Sequence, residues 1–261
     1  MILRRFTQHV KDQNWFAVGL DLAIVILGVF IGMQVSNWNQ TLADQARGRD
    51  YVQRLIADLE TDLAMRNALI AYYDAVDESG ELTVELLSSP APDPEMLVIN
   101  AYRATEFATD PAIRATWDEI VSSGDLGLLP RAAPTASLAL YYDSDHTGDI
   151  ATTLGNSAYR IRVRRAIPHR VQEAIRSGCS DVRNANGSVI GFQPECQLEL
   201  DGDDIPAAAE ALLSDPELLA DLRYQFSILG STRANLRGDT LILTRVIADL
   251  EAASQGGGVT R

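Results

Sequence analysis

Between Leu22 and Ala43 the chain carries no charged side chain, and the window from Trp15 to Val35 contains only Asp21. As an α-helix that window rises about 31 Å, which matches a bilayer hydrocarbon core of roughly 30 Å. Trp15 and Trp38 bracket it, as amphipathic aromatic rings do at the two membrane–water interfaces. The pattern predicts a transmembrane helix over 15–38, preceded by a tail of residues 1–14. Arg4, Arg5 and Lys11 are the only Arg or Lys residues ahead of Arg47, and basic residues favour the cytoplasmic side. The expected topology has a cytoplasmic N-terminus in a bacterial inner membrane and everything beyond the helix in the periplasm.

Two other readings compete. A cleaved export signal would use Leu22–Val35 as its apolar region and "TLA" at Thr41–Ala43 as its cleavage site. Its leader is long, however, and the site lies well past the apolar stretch. A core helix of a soluble domain is the third reading, and so long a charge-free run is rare there.

Within the apolar run, Gly28 and Gly32 form a G-x-x-x-G pair, the spacing that lets two membrane helices approach closely. Asp21, Val25, Gly28, Gly32 and Ser36 fall on one helical face. A carboxyl group at that depth should turn toward protein or water. Asp21, Gly28 and Gly32 are therefore the expected association face, with a homodimer or another membrane protein as partner.

The segment "GLDLAIVILGVFIGMQVSNWNQ" resembles the N-terminus of a bacterial family of uncharacterised single-pass membrane-anchored proteins. The matching positions are Gly19, Asp21, Gly28, Gln34, Asn37, Trp38 and Asn39, so the apolar run ends in Gln-x-x-Asn-Trp-Asn. Ser36 stands where many members carry another Asn. "TWDEIVSSGDLGLL" is similar to a later Ser-Gly-x-Leu segment of the same family. The resemblance implies membrane anchoring and a helical outer domain, and brings no activity with it.

Downstream, Val52, Leu55 or Ile56, Leu59, Leu63, Leu69 or Ile70, Tyr73 and Val76 recur at steps of three and four. This predicts an amphipathic helix continuous with the membrane segment, running to about Ser79 and broken by Gly80 and "SSPAPDP". Its stripe also suits a coiled coil, although the repeat is imperfect. Shorter helices are expected at Glu95–Phe107 and Pro111–Val121, the second capped by Asp110-Pro111 and closed near Gly124. The stretch from Ser137 to Gly178 reads as mostly helical, with a break at Gly148 or Gly155. Asp215-Pro216 opens a last long helix through Ala252. The fold class is all-α: a transmembrane helix, then a helical-bundle domain over 39–254 with long antiparallel helices, and a disordered tail over 255–261.

The two cysteines, Cys179 and Cys196, flank Asn186-Gly187, a tight-turn signal, and the strand-like "SVIGF". In an oxidising compartment they are expected to close a small hairpin.

Net charge is −14, which argues against a nucleic-acid partner. G-x-S-x-G, Walker, H-E-x-x-H and C-x-x-C motifs are all missing, so no catalytic residue, metal ligand or cofactor is assigned. The acidic stretches "DSDHTGD" (Asp143–Asp149) and "DGDD" (Asp201–Asp204) lack an ordered ligand spacing and read as solvated loops. "YRIRVRRAIPHRV" is more unusual. Arg160, Arg164, Arg165, His169 and Arg170 crowd together in an acidic chain, and Arg160 and Arg164 lie one helical turn apart. They form a candidate anion-binding set, the competing expectation being pairing with the chain's own acids such as Asp58 and Asp62. The leading functional expectation is a non-enzymatic scaffold or protein-interaction module. The alternative is a sensory or anionic-solute-binding domain, which would signal through a partner because the tail ahead of the membrane helix is short.

Overall fold

The computed structural model describes residues 15–144, 146–200 and 202–256. The tail 1–14 and residues 257–261 lie outside them. Helix α1 (Trp15–Ser88) joins the apolar segment to the outer domain without interruption. From Gly19 to Ala43 every residue is exposed, and the apolar window is not buried inside the chain at all. That pattern is unlike a core helix, and by length and composition the segment is able to cross a membrane.

Gly80 does not end the helix. A Cβ at Gly80 would lie 2.7 Å from Cε1 of Phe226 and 3.6 Å from Leu222, so the missing side chain admits a neighbouring helix. The helix stops nine residues later than Ser79, at Ser88, the first residue of "SSPAPDP".

The neighbour is helix α9 (Leu218–Gly256), which ends beyond the expected Ala252. It runs antiparallel to α1, because Phe226 faces Gly80, Arg233 faces Asp77 and Asp239 faces Arg66. On α1 the buried positions Gly48, Val52, Leu55, Leu59, Asp62, Arg66, Leu69, Tyr73, Val76, Gly80 and Thr83 alternate steps of four and three. On α9, Leu218, Leu222, Gln225, Leu229, Thr232, Leu236, Asp239, Leu243, Val246, Leu250 and Ala253 do the same. This is a heptad seam inside one chain. The repeat on α1 is imperfect in sequence because Gly, Asp, Arg and Thr occupy seam positions. The stripe expected to suit a coiled coil is covered here by α9 between residues 48 and 83.

The short helices wrap this pair. Helix α2 (Pro94–Arg103) is capped by Asp93, whose carboxylate accepts from the amides of Glu95 and Met96. Helix α3 (Ala115–Ser123) starts four residues after the expected Pro111. The intervening backbone is used differently: the carbonyl of Asp110 accepts from Arg66, and the amide of Ile113 donates to Asp62 at 3.0 Å. Gly124 closes α3 in the left-handed region at φ 75°, and a 3-10 turn, Asp125–Leu128, follows.

Helices α4 (Thr135–Asp143), α5 (His146–Gly155), α6 (Ala158–Ala166) and α7 (His169–Gly178) come next. The chain breaks after Gly155, where Ser157 caps α6, and at Pro168; Gly148 lies within α5. Strands β1 (Asp181–Arg183) and β2 (Val189–Phe192) pair antiparallel, with Asp181 opposite Phe192 and a bulge after Val182. The side chain of Asn184 accepts from the amides of Asn186 and Ser188, and Gly187 supplies the φ of 85° that the turn requires. Helix α8 (Asp204–Leu213) completes the domain. Among the described residues the architecture is helical apart from this one hairpin.

Three apolar clusters line up along α1. The first, next to the apolar segment, joins Val52, Leu55 and Leu59 to Trp117, Tyr142 and Leu250. The second holds Leu69, Tyr73, Leu229 and Leu236, and the third gathers α2, α6, α7 and α8 around Tyr159 and Leu222. Between the first and second lies a buried polar layer. Asp62, Arg66 and Asp239 are each at most 5% exposed. Tyr141 donates to Asp62 at 3.0 Å, and Arg66 Nε lies 3.7 Å from Asp239.

Candidate functional site

Where α1 leaves the apolar segment, α3 and the 3-10 turn form a collar around it. A Cβ on Gly48 would fall 2.3 Å from the carbonyl oxygen of Leu128, so only glycine admits the turn at that distance. Around that contact α1 carries Arg47, Tyr51 and Arg54, all bonded to acids of α3 or the turn. The hydroxyl of Tyr51 and Nη1 of Arg47 both donate to Asp125, at 2.8 and 3.3 Å, and Arg54 pairs with Glu119 at 2.5 Å. The Tyr51 hydroxyl holds the Asp125 carboxyl below the usual carboxylate range, with Arg47 adding to it. Arg54 does the same for Glu119. The collar thus brings "SSGDLGLL" against the start of the outer part of α1, joining two stretches distant in sequence.

The positions expected to associate stand open in the single chain. A Cβ at Gly28 or Gly32 would meet nothing within 4 Å, and Asp21 is exposed on the same helix.

The arginine run divides by helical face. Arg160 and Arg164 turn inward and share Glu106, at 3.7 and 2.9 Å. Arg160 also donates to the carbonyl of Thr105, and Arg164 to its hydroxyl. Their planes lie over Phe107 and Tyr102, with the Arg164 guanidinium carbon 3.5 Å from the Tyr102 ring centre. Burial, and then the neighbouring charge of Arg164, pull Arg160 below the ordinary arginine value. Arg162 turns the other way and binds Asp215, Glu217 and Asp221 at 3.1, 2.7 and 2.6 Å. Arg165, His169 and Arg170 do not join Arg160 and Arg164. All three are exposed, and Arg170 lies 3.3 Å from Asp204. The acid that pairs with Arg160 and Arg164 is Glu106; Asp62 serves the buried polar layer instead.

Cys179 and Cys196 form the disulfide, with their Cα atoms 5.1 Å apart. Beside it a cavity of about 350 Å³ opens between α2, α7 and the hairpin. Arg103, Arg176 and Arg183 line it, and sequence reasoning missed all three. They come from three elements spread over 80 residues, and nothing local marks them as a set. In "DSDHTGD", Asp145 and the side chain of His146 lie outside the described residues, as does Asp201 of "DGDD". Among the described residues no three His, Cys, Asp or Glu side chains converge as a metal site.

These features define a class: a helical domain, closed by a disulfide hairpin, borne on a single helix apolar and long enough to cross a bilayer. No protein-family model, curated protein or solved structure matches the chain.

Proposed function

We propose that this chain is a membrane-anchored interaction module or scaffold. Residues 15–38 cross a bacterial inner membrane, the N-terminus is cytoplasmic and the helical domain stands in the periplasm. The disulfide supports the oxidising side of the membrane. The observation that carries the reading is the continuity of α1, which holds the apolar segment and one side of the domain's heptad seam in a single helix. A partner or second copy that grips the apolar segment therefore sets the direction of the whole domain. The reading is non-enzymatic.

Because α9 covers the seam from Gly48 to Thr83, association falls to the uncovered stretch ahead of it, through Asp21, Gly28 and Gly32. Crosslinking of the full-length protein in native membranes tests this. The expected result is a discrete adduct, with a second copy or another membrane protein, that is lost in the Gly28→Leu/Gly32→Leu variant. The same adduct at the same yield in that variant would refute association through this face.

A further inference from the structure

The cavity beside the disulfide lies far from the apolar segment. It sits level with Tyr72 on α1, whose ring packs 5.3 Å from Phe192, roughly 50 Å along the helix from Trp38. Its occupant is a question separate from self-association.

Three guanidinium groups face it. Arg103, on the last turn of α2, donates to the carbonyl of Gln193 at 2.8 Å and lies over the Phe192 ring at 5.0 Å. Arg176, on α7, donates to the Tyr102 hydroxyl at 3.2 Å, and Arg183, on β1, to the carbonyl of Gly187 at 2.7 Å. Every one of these acceptors is neutral. Among the described residues none of the three has a carboxylate within 4.0 Å. The buried Nε of Arg103 has no hydrogen-bond partner. Elsewhere in this acidic chain Arg47, Arg54, Arg162 and Arg233 all hold acids.

Two carboxylates complete the lining. Glu106 is already neutralised by Arg160 and Arg164, and Asp181 stands at the start of β1. Burial, and then the charge of Glu106, raise the Asp181 carboxyl above its ordinary range. The lining carries three guanidinium groups against two carboxylates, one of which is already paired with Arg160 and Arg164, and so is positive on balance in a protein of net charge −14. Tyr102, Phe192, Ile175 and Cys179 add apolar wall. Concave sites of this size, with apolar walls and a few convergent polar groups, are the usual form of small-molecule sites.

We propose that this cleft binds a small organic oxyanion, a carboxylate or phosphate held by Arg103, Arg176 and Arg183, which also carries an amine or hydroxyl donor for Asp181 and Glu106. Guanidinium forks suit both oxyanions, through charge-assisted and often bidentate hydrogen bonds. The disulfide belongs to the site, because it ties the end of α7, which carries Arg176, to the chain that leaves the hairpin carrying Arg183.

The test is calorimetric titration of the full-length protein in detergent, disulfide intact, with L-glutamate, O-phosphoserine and inorganic phosphate as probes. Arg176→Gln and Arg183→Gln replace exposed side chains, and Arg245→Gln, whose side chain is 84% exposed on α9, controls for net charge. The expected result is saturable binding of at least one probe, weakened roughly tenfold by each cleft substitution and unchanged by Arg245→Gln. Preference for L-glutamate would mark a carboxylate ligand; preference for the phosphorylated probes, a phosphate. Absence of saturation by every probe up to about 10 mM, or equal weakening by all three substitutions, would overturn the proposal.

Discussion

The hydroxyl of Tyr51 donates to the carboxylate of Asp125 at 2.8 Å, fastening the 3-10 turn to α1 just beyond the apolar segment. One turn earlier on the same helix, Gly48 lets the carbonyl of Leu128 come so close that no Cβ fits between them. Together the two contacts hold the 3-10 turn against the start of the helix's outer part.

Gly48→Ala is expected to lose stability by about 1–3 kcal/mol despite alanine's better helix propensity, because the atom it meets is backbone and cannot rotate away. Arg131 follows the collar on an exposed loop and gives a local readout. Tryptic cleavage after Arg131 should be faster in Gly48→Ala than in the unsubstituted protein, while cleavage elsewhere in the domain changes less.

Acid should open the collar before it opens the buried seam. Asp125 and Glu119 have carboxyl groups held below the usual range by Tyr51, Arg47 and Arg54. Their contribution is complete above the unfolded carboxylate pKa of about 4 and is lost as pH falls through their lower folded values. Asp62 has the opposite sign, since burial raises it and its protonation becomes easier in the folded state. Hydrogen exchange measured from pH 6 downward should show amides of 115–129 losing protection first, with those around Asp62 following. Tyr51→Phe should move the first event to higher pH.

Breaking the buried ion layer should be costly. Arg66 and Asp239 have side chains only 5% and 7% exposed, so Arg66→Met removes a buried cation from beside the Asp239 carboxylate and takes a positive charge from the surroundings of Asp62. The expected loss is about 3–5 kcal/mol by chemical denaturation. Arg66→Met/Asp239→Leu should recover part of it, because the second change removes a buried carboxylate together with the cation it faced.

Removing the disulfide by Cys179→Ser/Cys196→Ser should cost about 3 kcal/mol, as expected for a bridge spanning 17 residues. The loss should concentrate in the hairpin and α7, leaving the first apolar cluster around Trp117 folded, since α7 packs into a different apolar cluster. Near-ultraviolet dichroism and hydrogen exchange would separate the two regions.

Periodicity and punctuation made much of this fold legible. The apolar run marked the start of α1, and Asp215-Pro216 marked the approach to α9, where the Asp215 side chain accepts from the amide of Glu217. Asn186-Gly187 between two cysteines marked the hairpin. Gly80 misled, because a glycine that ends a helix and one that admits a neighbouring ring look alike until Phe226 is in place. Asp110-Pro111 misled for a similar reason: its cap signal was outcompeted by Arg66 and Asp62 across the bundle. The arginine run was legible as a cluster, but its division into two faces follows from where Glu106 and Asp221 lie in space. Arg103, Arg176 and Arg183 were out of reach, since only the packing of α2, α7 and β1 brings them together.

The most direct test of the account combines extraction and intact mass. Membranes from cells expressing the protein are washed at alkaline pH, free thiols are blocked before lysis, and the retained protein is weighed. The expected result is a chain that still carries residues 15–38, stays with the membrane, and shows Cys179 and Cys196 unmodified until reduced. A soluble chain beginning at Asp44, or one whose two cysteines are both blocked without reduction, would contradict it.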